Sequence, residues 1–378
     1  MKIALINKFY PPVIGGIEYH VRVLAENLAK CKGIEKVEIL VANNINEEAI
    51  EEIGGKIRIT RVANWKTVAS TPIATALIRK MKELDVDLFH FHFPYPFGDF
   101  AWLMADIKKP FIITYHSDII RQKYLNRLYA PIRNSFFSRS HNIVATSPRL
   151  IESSPVLQKF KDKTIVVPLG IDPGRFLDSG GIVRGQELRQ QYDNKPIVLF
   201  VGRFVYYKGV EVLIKSFKDI DATLLMVGNG ILKDKLKSMV KDYKIDNKVF
   251  FYDSVGDDEL VAYFHACDIF VLPSIANTEA YGLVQLEAQA CGKPVISTNL
   301  ATGVPFVNKD NETGLIVEPN DIEGMNKAIH TLVNDKELRI KLGEQAKNRM
   351  LAEFTDVRMT KKIYNIYCDI LGVEDRNG

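Results

Sequence analysis

The chain has 378 residues, 47% of them hydrophobic and 25% charged. These proportions exclude a disordered tail, a fibrous repeat and a small stapled module, and at roughly 150 residues per domain they suit two packed domains. The 50 Lys and Arg against 46 Asp and Glu leave a net charge of only +4, too even a balance to make nucleic acid a default partner.

In chain order, Met1 to Asn7 carries one lysine and a short apolar run. It predicts a buried first strand, Ile3–Ile6, and no export signal, since a signal peptide needs a longer apolar region and a small-residue cleavage site. Further β-branched and aromatic runs follow at Val37–Ala42, Ile57–Val62, Leu88–Phe91, Phe111–Thr114, Asn142–Thr146 and Thr164–Val167, with helical patterns filling most of the gaps. After a Gly- and Asp-rich stretch, Gly170–Gly185, a second series begins: Ile197–Val201, Thr223–Val227, Val249–Tyr252, Ile269–Leu272 and Val295–Ser297. Strands alternating with helices predict the α/β class, here two doubly wound Rossmann-like domains, residues 1–175 and 190–357, facing a cleft at the carboxyl ends of their strands. From Asp335 onward the pattern is helical. Cys31, Cys267, Cys291 and Cys368 lie far apart without a C-x-x-C pair and read as buried thiols in a reducing compartment. No stretch approaches the ~18 apolar residues that span a bilayer, so membrane association would be peripheral.

Two similar α/β halves would suggest a dehydrogenase, but the turn after the first strand, Lys8–Gly16, has no G-x-G-x-x-G, and no Walker pattern occurs. The pair Gly15-Gly16 instead offers backbone N–H groups before a helix starting near Glu18; an ordinary strand-to-helix turn explains it equally well. Arg203 and Lys208, just beyond Ile197–Val201, suit a diphosphate, a guanidinium fork beside an ammonium point charge, although an exposed pair of cations is the commoner meaning of such residues. In Asn277–Gly292, Gly282 is expected to open a helix whose first N–H groups, at Gly282, Leu283 and Val284, form an anion site. Glu287, one to two turns along in apolar company, would then accept hydrogen bonds from ribose hydroxyls. If Glu279 and Glu287 shared one continuous helix they would stand about 12 Å apart, against about 5 to 5.5 Å for a retaining glycosidase pair.

The order and spacing of Gly15-Gly16, Arg203, Lys208 and the Glu279-x7-Glu287 element, with Gly282–Gly292, Lys293-Pro294-Val295-Ile296 and Asn311–Val317, resemble the retaining GT-B glycosyltransferases of family 4 (glycosyl transferases group 1) over essentially the whole chain. The resemblance implies a nucleotide-sugar donor held by the second domain: Arg203 and Lys208 on the diphosphate, Glu287 on the ribose, and backbone near Gly228–Gly230 and Tyr252–Val255 beside the base. Glu279 and, from the first domain, His116 of Tyr115-His116-Ser117-Asp118 would be the catalytic groups at the transferred sugar; a satisfied strand-end histidine is the plainer account of His116. Gly16 would lie near the diphosphate and acceptor, and a terminal helix, residues 359–378, would cross back to the first domain. Closure of the two domains would exclude water, and retention would follow from same-face attack with the leaving phosphate accepting the proton.

Two departures from the family pattern matter. Tyr281 replaces a common Phe. Asp85-Val86-Asp87 imitates the metal-binding D-x-D of the other major glycosyltransferase fold but precedes a predicted strand, and reads as a solvated turn. No essential metal is expected, and no cofactor beyond the donor.

His90-Phe91-His92-Phe93-Pro94-Tyr95-Pro96 resembles enzymes of O-antigen and capsule assembly. That favours an α-mannosyltransferase using GDP-mannose on a glycan or lipid-linked acceptor, with a UDP-hexose or UDP-N-acetylhexosamine donor as the alternative. The two alternating histidines mark one strand face, with no third ligand evident nearby. Ile119–Ile151 has no acidic residue, yet Arg121, Lys123, Arg127, Arg133, Arg139 and Arg149 interleave with Tyr124, Leu128, Tyr129, Ile132, Phe136 and Phe137. Such a helix suits an anionic leaflet or, equally, a core-packed helix with a solvated basic face; the protein is expected in the cytoplasm, at the inner face of the cell membrane if residues 121–139 take the first role. Other GT-B activities, a nucleotide-sugar epimerase or a phosphorylase, and a two-lobed sugar-binding protein complete the alternatives.

Overall fold

The computed structural model describes residues 1–13, 15–68, 71–119, 123–192 and 195–374, without the side chains of 123–126. Contacts divide the chain into two compact units, Met1–Gly170 with Asp356–Gly378, and Ile171–Thr355.

The first unit contains β1 (Lys2–Ile6), β2 (Lys36–Ala42), β3 (Ala49–Ile53), β4 (Ile57–Val62), β5 (Lys66–Val68), β6 (Thr71–Ile73), β7 (Leu88–Phe93), β8 (Phe111–Tyr115), β9 (Asn142–Ala145) and β10 (Thr164–Val166). Its eight-stranded sheet runs β10-β9-β8-β7-β1-β2-β4-β3. Every pairing is parallel except β3 against β4. The central strands are buried on both faces, which is why they read as unbroken apolar runs. Along β7, Phe89, Phe91 and Phe93 enter an aromatic core with Trp102, Phe111, Phe136 and Phe137, while His90 and His92 line the opposite face, as their alternation requires. β3, exposed at every residue, escaped the sequence reading because an edge strand carries no burial pattern; the short β5–β6 hairpin did so for the same reason.

The carboxylates of Asp85 and Asp87 serve the start of β1: Asp87 accepts the Lys2 backbone N–H at 2.7 Å and Asp85 the Lys2 ammonium at 2.8 Å. The helix Lys123–Arg139 is packed into the core by Phe136 and Phe137 and by a hydrogen bond from the Tyr129 hydroxyl to the buried Asp99. Arg127, Leu128 and Arg139 stay exposed; Arg121 and the side chains of Lys123 and Tyr124 lie outside the described residues. The helix Asp356–Leu371 packs on the first unit, with Asn27 donating to Asp356 at 2.7 Å and Tyr367 meeting His90 Nδ1 at 2.6 Å.

The second unit holds β11 (Ile197–Val201), β12 (Thr223–Val227), β13 (Val249–Tyr252), β14 (Ile269–Leu272), β15 (Val295–Thr298) and β16 (Gly314–Val317), in the order β13-β12-β11-β14-β15-β16, all parallel. The strand order reverses between β11 and β14, the topological switch point at which open α/β sheets bind ligands. The Gly- and Asp-rich stretch at the boundary between the units is folded into the helices Gly174–Leu177 and Ser179–Arg189. Its glycines permit close packing, not turning. A Cβ at Gly181 would lie 2.6 Å from Val261, and one at Gly185 2.4 Å from His265, both on the helix Asp257–Ala266.

Candidate active site

All strands of the second sheet point the same way, so the loops that follow them gather at one edge. The loop after β11 brings Arg203 and Lys208; the loop after β14 brings Ser274 and Glu279. Two contacts hold these loops together at the switch point. Ile275 N–H donates to Tyr207 O at 2.8 Å, and Gly209 adopts a left-handed conformation (φ 65°) in which a Cβ would sit 1.9 Å from Pro273 O, so only glycine fits there without moving backbone.

Lys208 folds over Gly202, whose Cβ position is 3.7 Å from its Nζ, and reaches Glu279 Oε2 at 2.6 Å, with both side chains nearly buried. Ser274 donates to the same oxygen at 2.9 Å. The lysine expected on a diphosphate and the glutamate expected on a sugar are thus in direct contact. Arg203 is exposed and donates to the Tyr207 hydroxyl at 3.1 Å. Beside them, Gly228 N–H bonds Tyr252 O at 3.0 Å, Phe204 N–H bonds Asn229 O at 2.8 Å, and Asn229 donates to Asp253 at 3.0 Å. Those bonds tie together the loops after β11, β12 and β13.

Gly282 does not open a helix. It forms a left-handed turn at φ 72°, with Leu283 preceding a helix that runs Val284–Ala290; the positive φ that makes glycine necessary is incompatible with the first helical turn. Glu287 therefore falls in the first turn, not one to two turns along. Glu279 belongs to the preceding loop, so the 12 Å spacing of a shared helix does not apply. The charged groups that act on Glu287 are Arg175 and Asp257. Burial pushes its carboxyl up to about 7, against the opposing pull of Arg175, with Asp257 adding to the rise. Arg175, which donates to Asp257 O at 3.0 Å, was missed because nothing in its own stretch marks it. Tyr281 is buried against Gly303, where a Cβ would meet its ring at 2.6 Å.

In the first unit the equivalent reversal lies between β1 and β7. Gly16 is the exposed first residue of the helix Gly16–Lys30, which starts two residues earlier than expected. One turn later the same helix carries His20, which the sequence reading did not single out although the i, i+4 spacing from Gly16 was available. His116 follows β8, and His92 is on β7. His92 Nδ1 lies 3.2 Å from His116 Nε2, and the His20 ring stands edge-on to both, at 5.3 Å and 5.1 Å between centroids. The expectation that His90 and His92 have no third ligand nearby is corrected: His92 stands within one cluster of three histidines. Burial holds the His116 ring well below its usual pKa, with His20 and His90 acting in the same direction.

Comparison with known proteins gives this architecture its class. The chain is similar to sucrose-phosphate synthase from Thermosynechococcus elongatus, with a TM-score of 0.82 over 98% of this chain and 99% of that one at 24% identity, and its two parallel doubly wound units make the fold GT-B. Residues 14–175 match the model "Glycosyltransferase Family 4" and residues 186–349 the model "Glycosyl transferases group 1". It is 31% identical to O-antigen chain mannosyltransferase C of Escherichia coli, covering 96% of both chains. It is 30% identical to a D-rhamnosyltransferase of Pseudomonas aeruginosa, covering 90% of this chain and 89% of that one. The chain belongs to the group 1, family 4 glycosyltransferases, enzymes that act on a nucleotide-sugar donor and an acceptor.

Proposed function

We propose that the protein transfers an α-mannosyl group from GDP-mannose to a glycan or lipid-linked acceptor in cell-surface polysaccharide synthesis, with retention and without an essential metal. The observation that carries the site assignment is the Lys208–Glu279 contact at the switch point, with Arg203 on the same loop. It supports a site in which two cations receive the donor diphosphate and stabilise the charge that grows on it as it leaves. Glu279, released from Lys208 by the incoming phosphate, turns to hydroxyls of the transferred sugar. Glu287 takes the ribose, the Gly282–Val284 backbone the phosphate, and His116 the sugar; Gly16 contributes backbone near the diphosphate. The leaving phosphate accepts the acceptor proton on the same face. The mannosyl choice rests on the similarity to the O-antigen mannosyltransferase. The D-rhamnosyltransferase relative favours a second reading, a donor sugar lacking one hydroxyl of mannose.

Incubation with GDP-mannose and a panel of glycosides bearing lipid-like aglycones, followed by NMR of the anomeric centre, tests the proposal. The expected product is α-linked and appears with GDP. A β-linked product contradicts retention, and transfer only from UDP-sugars contradicts the donor.

Among the described residues, no helix is long and apolar enough to cross a membrane. The exposed Arg127, Leu128 and Arg139, with the exposed Phe100 and Met104 on the neighbouring helix Pro96–Ala105, support peripheral contact with the anionic inner face of the cell membrane.

A further inference from the structure

We propose that His20, His92 and His116 form a binding site for a borderline transition-metal ion, Zn2+ in the first instance. One ligand nitrogen from each ring lies within 4.8 Å of the others. A tetrahedral zinc site holds its nitrogens about 3.3 Å apart at Zn–N distances near 2.0–2.1 Å. His92 and His116 already stand at 3.2 Å, and the remaining gaps close by about 1.5 Å at most.

A second observation also points to a ligand. His20 is 2% exposed, yet both of its ring nitrogens have no hydrogen-bond partner among the described residues. Buried polar atoms are normally paired. Mere packing would favour an apolar ring at position 20, where an imidazole lone pair gains nothing.

The donor set selects the ion. Three imidazoles without a thiolate or carboxylate suit Zn2+, Co2+, Ni2+ or Cu2+ and not Mg2+ or Ca2+. His116, with 5% exposure, is the most accessible of the three. His90 is held elsewhere, by Thr114 and Tyr367 at 2.6 Å each. It fixes the face of β7 from which His92 projects.

The test is titration of the chelator-treated full chain with Co2+, read by visible absorption, with Zn2+ competition. The expected result is one equivalent bound with the intense bands of a four-coordinate ion, displaced by Zn2+. His20→Phe keeps the ring volume and should weaken binding at least about 100-fold, since loss of a ligand exceeds the 10–100-fold cost of losing an outer-shell partner. Circular dichroism confirms that this variant is folded, and His330→Ala, on the surface beside Asn334, controls for adventitious sites. No saturable binding, weak six-coordinate bands, or binding that survives His20→Phe but falls with His330→Ala would overturn the proposal. The readout is independent of whether mannose is the sugar transferred.

Discussion

The Lys208–Glu279 pair sets the energetics of the site. Its side chains retain 12% and 10% exposure, and removing one member of such a pair leaves an uncompensated buried charge costing about 3–5 kcal/mol. Lys208→Met should therefore lose about 3 kcal/mol in urea unfolding, and adding Glu279→Gln should restore much of it; additive losses would show that the two charges do not interact. Glu287 adds a pH dependence of defined sign. Its folded pKa of about 7 lies above the ordinary 4.5, so between these values the folded state binds more protons than the unfolded one, and its contribution to stability is lost as pH rises through 7. Glu287→Gln should raise the melting temperature at pH 8 and change it little at pH 4.5. Equal effects at both would contradict the shift. The types and spacing of Arg203, Lys208, Glu279 and Glu287 were legible in the sequence because each stands beside a glycine turn or in apolar company. The pairing of Lys208 with Glu279, and the meeting of His20 with His92, were not. They arise from sheet order and helix phase, which bring together residues from different loops.

The buried parallel strands of both sheets were legible because burial on two faces demands continuous β-branched and aromatic runs. The edge strand β3 and the short β5, β6 and β16 lacked that demand. The glycines of residues 170–185 lie at the boundary between the units, but their helices were not legible, since helix packing and chain turning use the same residue. The helix Lys123–Arg139 is packed on the core by Phe136, Phe137 and Tyr129 while Arg127, Leu128 and Arg139 face outward. If that outward face meets anionic lipid, affinity for phosphatidylglycerol vesicles in a pelleting assay should fall at least about 30-fold in Arg127→Glu/Leu128→Ser/Arg139→Glu, as expected when each of the two lost basic residues removes about 1 kcal/mol of attraction. Unchanged pelleting would remove the membrane contact.

At the scale of the whole molecule, the chain builds two parallel units and returns its terminal helix to the first. In the second unit the strand reversal and the cations of the β11 loop coincide, and the proposed donor site rests on this coincidence. The most direct measurement is the thermal stability of the full chain with GDP, UDP, ADP and their sugar conjugates, repeated in Arg203→Ala, Lys208→Ala and Glu287→Ala. A nucleotide present at 100 times its dissociation constant adds about 2.7 kcal/mol. With the donor site as proposed, GDP and GDP-mannose raise the melting temperature of the wild type and each substitution abolishes or sharply reduces the rise. Stabilisation that persists undiminished in all three variants, or no response to any nucleotide, would contradict it.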